Sequence, residues 1–213
     1  MALENHSRMT GESLDRGLQW LAQVDPDLAG VLARLGPPPL WARPPGFPTL
    51  IHIILEQQVS LASARAAFER LLQARSPLTP EGFLTLDGET LRRIGFSRQK
   101  SAYCRGLAEQ IILGKLDLEA LEGLEDEAAR ERLVQVKGIG AWTADIYLLM
   151  ALQRPDIWPS GDLALASAVQ VVKRLPGRPN PAELEEIGRA WRPWRAAAAR
   201  LLWHHYLSER GMS

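Results

Sequence analysis

The sequence predicts an all-α fold, and three observations lead to that prediction. Apolar residues recur at intervals of three and four through most of the 213 residues, as they do at Leu14, Leu18 and Leu21. No alternating run of β-branched residues extends beyond a few positions. Capping residues, prolines and glycines divide the periodic stretches into about ten short helices.

The first helices are separated by clear start and stop signals. They are predicted at residues 12–24, 26–35, 49–57, 60–74, 80–84, 88–94 and 98–113. Asp25 followed by Pro26 is typical of an N-cap and a first helical turn. A proline-rich stretch at 37–48 predicts a rigid, non-helical connection. Ser97 is a suitable N-cap for the helix that Gly114 ends.

The second half of the chain continues the helical pattern. Helices are predicted at residues 124–134, 141–152, 163–174, 183–190 and 193–210. Asp162 precedes an apolar helix and is an N-cap candidate. The proline-rich stretch 176–181 separates two of the helices.

Composition excludes several classes of protein. Lys and Arg total 25 and Asp and Glu total 25, so the net charge is zero and a wholly basic surface is excluded. Nucleic acid would have to be bound by a local patch or by backbone amides. The single cysteine, Cys104, excludes disulfides within the chain, Cys-ligated iron–sulfur clusters and structural Cys-zinc sites. No apolar run approaches the length of about 18 residues that a membrane span requires. Residues 1–10 lack the apolar core of a signal peptide, so we expect a cytoplasmic protein.

The most informative segment joins two helices at about residues 133–152. Gly138 can adopt a positive φ and end the first helix, whereas Gly140 lets a ligand backbone approach the next N-terminus. The amides that begin the helix at Ala141 would form an anion site suited to a phosphate. A tight helix–helix turn without a ligand is the other interpretation of these glycines.

This segment resembles the helix-hairpin-helix of the DNA glycosylase superfamily, specifically the 3-methyladenine DNA glycosylase II (AlkA-like) branch. Four further matches follow in chain order: Ile54-Leu55-Glu56-Gln57-Gln58-Val59-Ser60, Gly95-Phe96-Ser97-Arg98-Gln99-Lys100-Ser101-Ala102-Tyr103, Pro159-Ser160-Gly161-Asp162-Leu163, and Trp191-Arg192-Pro193-Trp194-Arg195 with the helix of Trp203. The resemblance implies two helical subdomains with a DNA-binding cleft between them.

The resemblance also suggests a division of the chain. We expect residues 49–162 to form one subdomain, which contains the hairpin. Residues 1–48 and 163–213 are expected to pack together as the other. Longer members of the family carry an N-terminal mixed α/β domain, and we expect it to be absent because residues 1–48 show a helical pattern.

The resemblance implies that Asp162 is the catalytic carboxylate. Such a group stabilises the cationic, oxocarbenium-like sugar and orients or deprotonates water. An N-cap role is compatible with this one. Trp142 stands where bifunctional members carry a nucleophilic lysine, and a tryptophan cannot form a Schiff base. We therefore expect a monofunctional glycosylase that leaves an abasic site, with no lyase activity and no cofactor for catalysis.

Four residues are candidates for the base pocket: Trp142, Trp203, Ile146 and Leu163. Aromatic faces attract cationic alkylated purines by about 0.5–2 kcal/mol and also stack on a flipped base. For Trp203, a core position is the alternative. Ile146 and Leu163 stand where close relatives place tyrosines, so we expect a less aromatic and roomier pocket.

The remaining candidates concern DNA and a cation. Gln58 matches the side chain that fills the gap left by a flipped base, although a surface glutamine at a helix end is the alternative. Phosphate contacts are expected from Lys137, Gly138, Gly140 and Ala141 in the hairpin and from Arg98 and Lys100 at a helix start, the last two being equally compatible with a solvated face. The main-chain carbonyls of Val134, Val136 and Ile139 match positions that hold a monovalent cation, Na⁺ or K⁺, in the family.

Three functions remain open at this stage. The first is excision of alkylated purines such as 3-methyladenine and 7-methylguanine from double-stranded DNA by a monomer. The others are excision of an etheno, deaminated or oxidised base, and non-catalytic DNA binding. Trp142 together with Asp162 favours an enzyme. A neutral base needs a proton to leave, and no acid is evident in the sequence, which favours cationic alkylated bases.

Overall fold

The computed structural model describes residues 8–211, and every regular element in that range is helical. The all-α prediction is therefore confirmed. Residues 1–7, which form most of the segment considered for a signal peptide, lie outside the described range. Within that range no helix is both long enough and apolar enough to cross a bilayer.

Twelve α-helices and two short 3₁₀ turns make up the described chain. The helices are α1 (Gly11–Val24), α2 (Pro26–Leu35), α3 (Phe47–Glu56), α4 (Leu61–Ala74), α5 (Pro80–Leu84), α6 (Gly88–Ile94), α7 (Arg98–Ile112), α8 (Asp126–Val134), α9 (Ala141–Met150), α10 (Leu163–Val172), α11 (Pro181–Gly188) and α12 (Arg195–Ser208). The 3₁₀ turns are Ala120–Gly123 and Arg189–Trp191.

All of the predicted helix bounds hold to within two residues, and two of the starts that differ have a clear reason. Helix α3 begins at Phe47, because Pro48 lies in its first turn, where a missing N–H is not needed. Helix α11 likewise begins at Pro181 and not at residue 183. Its N-cap Asn180 and Glu183 form a reciprocal capping box.

The described residues form two compact units. The hairpin unit spans Arg43–Tyr147, and the terminal unit comprises the described residues before Arg43 and those from Leu148 onward. These boundaries differ from the predicted ones at 48/49 and 162/163. The first lies earlier because Arg43 pairs with Glu56 at 2.8 Å and the Gly46 amide donates to the Tyr147 hydroxyl at 2.9 Å.

The second boundary also lies earlier than predicted, within helix α9. The residues that follow Tyr147 make contacts inside the terminal unit. The carbonyl of Leu149 accepts from Arg200 at 2.8 Å, that of Gln153 accepts from the Met9 amide at 2.7 Å, and that of Pro155 accepts from Ala196 at 3.0 Å. Residues 148–162 therefore belong with α1 and α12.

The core of the hairpin unit forms around α3, which packs on α4 and α7. Leu50, Ile51, Ile53 and Ile54 of α3 are fully buried. Phe83 meets Phe47 and Phe96 at ring-centroid distances of 5.9 Å each, in edge-on and tilted arrangements that aromatic pairs prefer. Helix α3 is therefore a rigid support for the turn that follows it.

The core of the terminal unit is α12, which packs on α1, α2 and α10. Residues 196–199 of α12 are four alanines with no exposed surface, and their small side chains let neighbouring helices approach closely. Arg200 is also fully buried and donates to the carbonyls of Leu40, Ala196 and Leu149. Burial lowers the pKa of its guanidinium to about 10.

Candidate functional site

The hairpin is shaped by Gly138 and left open at Gly140. Gly138 has a φ of 97°, and a Cβ at this position would lie 2.3 Å from Cγ of Tyr103. Only glycine fits both conditions. Gly140 is exposed, and a Cβ there would meet no atom within 4 Å. Lys137 and Ala141 are also exposed, so the N-terminus of α9 is accessible to a ligand.

A glutamine that the sequence analysis did not single out supports this hairpin. The side-chain amide of Gln57 donates to the carbonyl of Gly138 and to Oγ1 of Thr143, both at 2.9 Å. Thr143 itself is 2% exposed. The signal for Gln57 in the sequence is the Gln-Gln pair at the end of a buried helix, in which Gln57 directly precedes Gln58.

Lys100, which the sequence predicts as a phosphate contact, caps the C-terminal end of helix α3 in the structure. Its Nζ donates to the carbonyls of Leu55 and Gln57 at 2.6 and 2.8 Å, at the C-terminal end of α3. Burial lowers the pKa of this ammonium. The hydrogen bonds of its Nζ are therefore those of a helix cap, and a phosphate contact of Lys100 stays a prediction. Arg98, at the start of α7, is exposed.

Gln58 occupies the turn that follows α3. It is exposed and has a φ of 57°, in the left-handed region that glutamine seldom adopts. Backbone conformations of this kind persist where surrounding contacts hold them, and they concentrate at functional sites. The position and exposure of Gln58 are compatible with insertion into a DNA duplex.

The three carbonyls proposed for a cation lie along the same hairpin. Val136 and Ile139 are buried, whereas Val134 is 40% exposed. The Val136 carbonyl accepts the Ile139 amide at 3.0 Å, which leaves it a second lone pair. Among the described residues, no group of three or more His, Cys, Asp or Glu side chains could hold a metal ion.

Asp162 lies in the terminal unit as the N-cap of α10. Its Oδ1 accepts the Leu165 amide at 2.7 Å and the indole N–H of Trp203 at 3.1 Å. The N-cap interpretation of this residue is therefore correct, and capping fixes the carboxylate at a helix start. Leu163, the next residue, is 67% exposed and offers apolar surface beside the carboxylate.

The other predicted pocket residues differ in exposure. Trp203 is only 7% exposed, which agrees with the core alternative and makes its hydrogen bond to Asp162 its clearest contribution. In the hairpin unit, Trp142 in the first turn of α9 is partly exposed. Ile146, one turn later, is 3% exposed and has little surface to offer a ligand.

The all-helical fold, the glycine hairpin and the helix-capping Asp162 can now be set beside known sequences. Residues 51–193 match the HhH-GPD superfamily of base excision DNA repair proteins, and the chain belongs to this family. The family prediction is confirmed. DNA-3-methyladenine glycosylase 1 of Schizosaccharomyces pombe is 34% identical over 161 residues, which are 74% of this chain and 71% of that relative.

Solved structures show the same fold. The S. pombe 3-methyladenine DNA glycosylase in complex with abasic DNA superposes with a TM-score of 0.81 at 30% identity, covering 88% of this chain and 95% of that one. A DNA-3-methyladenine glycosidase from Bacillus halodurans gives 0.74 at 29% identity, covering 93% and 91%.

Proposed function

We propose that this chain is a monofunctional DNA-3-methyladenine glycosylase of base excision repair. It flips alkylated purines out of double-stranded DNA and hydrolyses the N-glycosidic bond to leave an abasic site. The observation that carries the proposal is the carboxylate of Asp162, which two N–H donors hold in a chain of this family. The names of the relatives support 3-methyladenine and similar bases as substrates.

The chemistry follows from the charge of the substrate. In an N3- or N7-alkylated purine, the C1′–N bond breaks with its electron pair passing to the base, which leaves as a neutral molecule. The sugar becomes cationic, and the Asp162 carboxylate stabilises that charge. Water then bonds to C1′ and loses a proton, which Asp162 can accept. Because Oδ1 is already held by Leu165 and Trp203, the carboxylate needs little reorientation.

Other residues bind the DNA. The amides of the hairpin from Lys137 to Ala141 bind a phosphate, and the exposed Arg98 contacts another. Gln58 fills the gap that the flipped base leaves. In the terminal unit, Leu163 presents exposed apolar surface beside the Asp162 carboxylate. In the hairpin unit, Trp142 presents a partly exposed aromatic ring of the kind that stacks on bases. We propose that the protein acts as a monomer in the cytoplasm.

No cofactor is needed for this hydrolysis. The carbonyls of Val134, Val136 and Ile139 are hard donors that suit Na⁺ or K⁺. A cation held there would stiffen the turn and add positive charge close to the phosphate site. We propose it as a structural ion with no part in bond cleavage.

A base-release assay tests the proposal. The protein is incubated with duplexes that carry 3-methyladenine or 7-methylguanine, and free base is followed by chromatography. We expect release of the alkylated base, with strand cleavage only after alkali and no adduct trapped by borohydride. Release of etheno, deaminated or oxidised bases in its place would assign another lesion. Binding to abasic DNA without any release would indicate a non-catalytic module.

The Asp162→Asn variant isolates the role of the carboxylate. Asparagine is as good an N-cap as aspartate, so α10 should keep its cap and the protein its fold. We expect base release to fall by about 100-fold or more, while binding to abasic DNA remains. Comparable release by wild type and variant would remove Asp162 from the mechanism.

A further inference from the structure

The turn that presents Gln58 is held by the residue before it. Gln57 ends α3 with an extended backbone, at a ψ of 123°, and Gln58 follows with a φ of 57°. The Gln57 carbonyl, together with that of Leu55, accepts from Lys100 of α7. The main chain on the N-terminal side of Gln58 is therefore fixed to a second helix.

The side chain of Gln57 extends to the hairpin. Its amide nitrogen, Nε2, donates hydrogen bonds to the carbonyl of Gly138 and to the hydroxyl of Thr143, each at 2.9 Å. The first acceptor belongs to the glycine turn, and the second belongs to the first turn of α9. Gln57 therefore connects the base of the exposed Gln58 turn to the two parts of the hairpin that shape its open end.

Helix α7 holds the same hairpin from another direction. The ring of Tyr103 packs on Gly138 so closely that no side chain fits between them. The hydroxyl of Tyr103 accepts from Gln99 at 2.7 Å, one helical turn earlier. The end of α3, the start of α7 and the hairpin are thus joined in a closed set of contacts, all within the hairpin unit.

We propose that Gln57 is a positioning residue that couples Gln58 to the phosphate-binding hairpin. Because of this link, the turn that inserts into the duplex and the hairpin that binds the backbone move as one rigid body. Phosphate binding then places Gln58 in register with the base to be replaced. This inference rests on the proposed function and adds a residue that makes no contact with DNA.

A double-mutant cycle tests the coupling. The variants are Gln57→Leu, Gln58→Ala and the double variant, and the readout is the affinity for a duplex with an abasic-site analogue relative to undamaged duplex. We expect Gln58→Ala to lower this preference about tenfold in the wild-type background but less than about twofold in the Gln57→Leu background. Fluorescence of a 2-aminopurine next to the lesion should show the same loss of base unstacking.

Variants at Thr143 separate coupling from a merely structural effect. Thr143→Val removes one acceptor of Gln57 at nearly constant shape, whereas Thr143→Ser keeps it. We expect Thr143→Val to lower the preference for abasic over undamaged duplex about threefold, and Thr143→Ser to keep nearly the wild-type preference. The unfolding midpoints of the two variants should be similar. A structural role alone would weaken binding to both duplexes equally.

Two results would overturn the coupling while leaving the proposed function standing. One is an additive cycle, in which Gln58→Ala costs the same in both backgrounds. The other is an equal loss of affinity for abasic and undamaged duplex in Gln57→Leu and Thr143→Val. A wild-type protein without any preference for abasic DNA would also overturn this inference, whereas the proposed function is overturned only if no base is released.

Discussion

The indole N–H of Trp203 donates to Oδ1 of Asp162 at 3.1 Å, from a side chain only 7% exposed. A second pair in the same unit has the same construction, since Trp191 donates to Asp25, the N-cap of α2, at 2.8 Å. Each aspartate caps a helix and accepts an indole hydrogen bond. Only Asp162 is proposed to face substrate, so the Trp191–Asp25 pair serves as a control for the Trp203–Asp162 pair.

Replacing Trp203 should impair chemistry more than folding. Trp203→Phe removes the indole donor and keeps an aromatic ring in the core. We expect the single-turnover rate of base release to fall about tenfold, because one hydrogen bond to a charged group is worth about 1.5–3 kcal/mol. Trp191→Phe should lower the free energy of unfolding by about 1.5–3 kcal/mol and leave the rate of base release unchanged. Equal rates for the two variants would contradict a positioning role for Trp203.

The two hairpin glycines should respond differently to alanine. Gly138→Ala meets both a φ of 97° and the ring of Tyr103, so we expect it to lose about 2–3 kcal/mol of stability in urea unfolding. Gly140→Ala meets no atom and should stay within about 0.5 kcal/mol of wild type.

The added methyl group at Gly140 would nevertheless stand where DNA approaches the helix N-terminus. We therefore expect about a tenfold loss of affinity for duplex DNA, or about 1.4 kcal/mol. Fluorescence anisotropy measures this affinity. Unchanged affinity in Gly140→Ala would mean that the DNA backbone does not approach the hairpin at this residue.

Arg98 and Lys100, two residues apart, should separate binding from stability. Lys100→Met removes the donors that cap α3, and we expect a loss of about 2 kcal/mol in unfolding free energy with an unchanged salt dependence of DNA binding. Arg98→Ala should keep the stability and reduce the slope of log affinity against log salt by ~1. If Lys100→Met instead reduced the salt slope and kept the stability, Lys100 would be a phosphate contact.

The terminal unit should lose stability in acid through Asp25. Burial alone would raise the pKa of this carboxyl, but hydrogen bonds from Trp191 and Lys173 outweigh burial and leave the pKa below its ordinary value. A lowered pKa in the folded state stabilises the protein above the ordinary value of 3.8, and this contribution is lost as pH falls through the folded-state pKa.

The measurement is the urea midpoint of wild type and Asp25→Asn between about pH 3 and pH 7. We expect the wild-type advantage to be full near neutrality and to shrink towards acid. The pKa of Lys173 is raised, because its bonds to Asp27 and Asp25 outweigh burial. Its contribution should therefore be full below the ordinary value of 10.5 and be lost only in strong alkali. If the difference in urea midpoint between wild type and Asp25→Asn did not change with pH, Asp25 would not be the titrating group.

Much of the local structure could be predicted because its causes are local. Pro26, Ser97 and Gly114 mark helix ends by their own backbone and capping preferences, and the structure agrees to within about a residue. The N-cap role of Asp162 could be predicted from the residues around it. Its proposed catalytic role came from the family resemblance, since a capping aspartate alone does not indicate chemistry.

The sequence by itself determined the helices, the glycine hairpin and the family, since periodicity, caps and turns act between residues a few positions apart. Only the tertiary structure decided which distant groups meet. Trp203 lies 41 residues from Asp162, Lys100 lies 45 from Leu55, and Gln57 lies 81 from Gly138. The unit boundaries at residues 43 and 148 have the same origin. Such pairings depend on how whole helices pack, and no pattern of neighbouring residues encodes them.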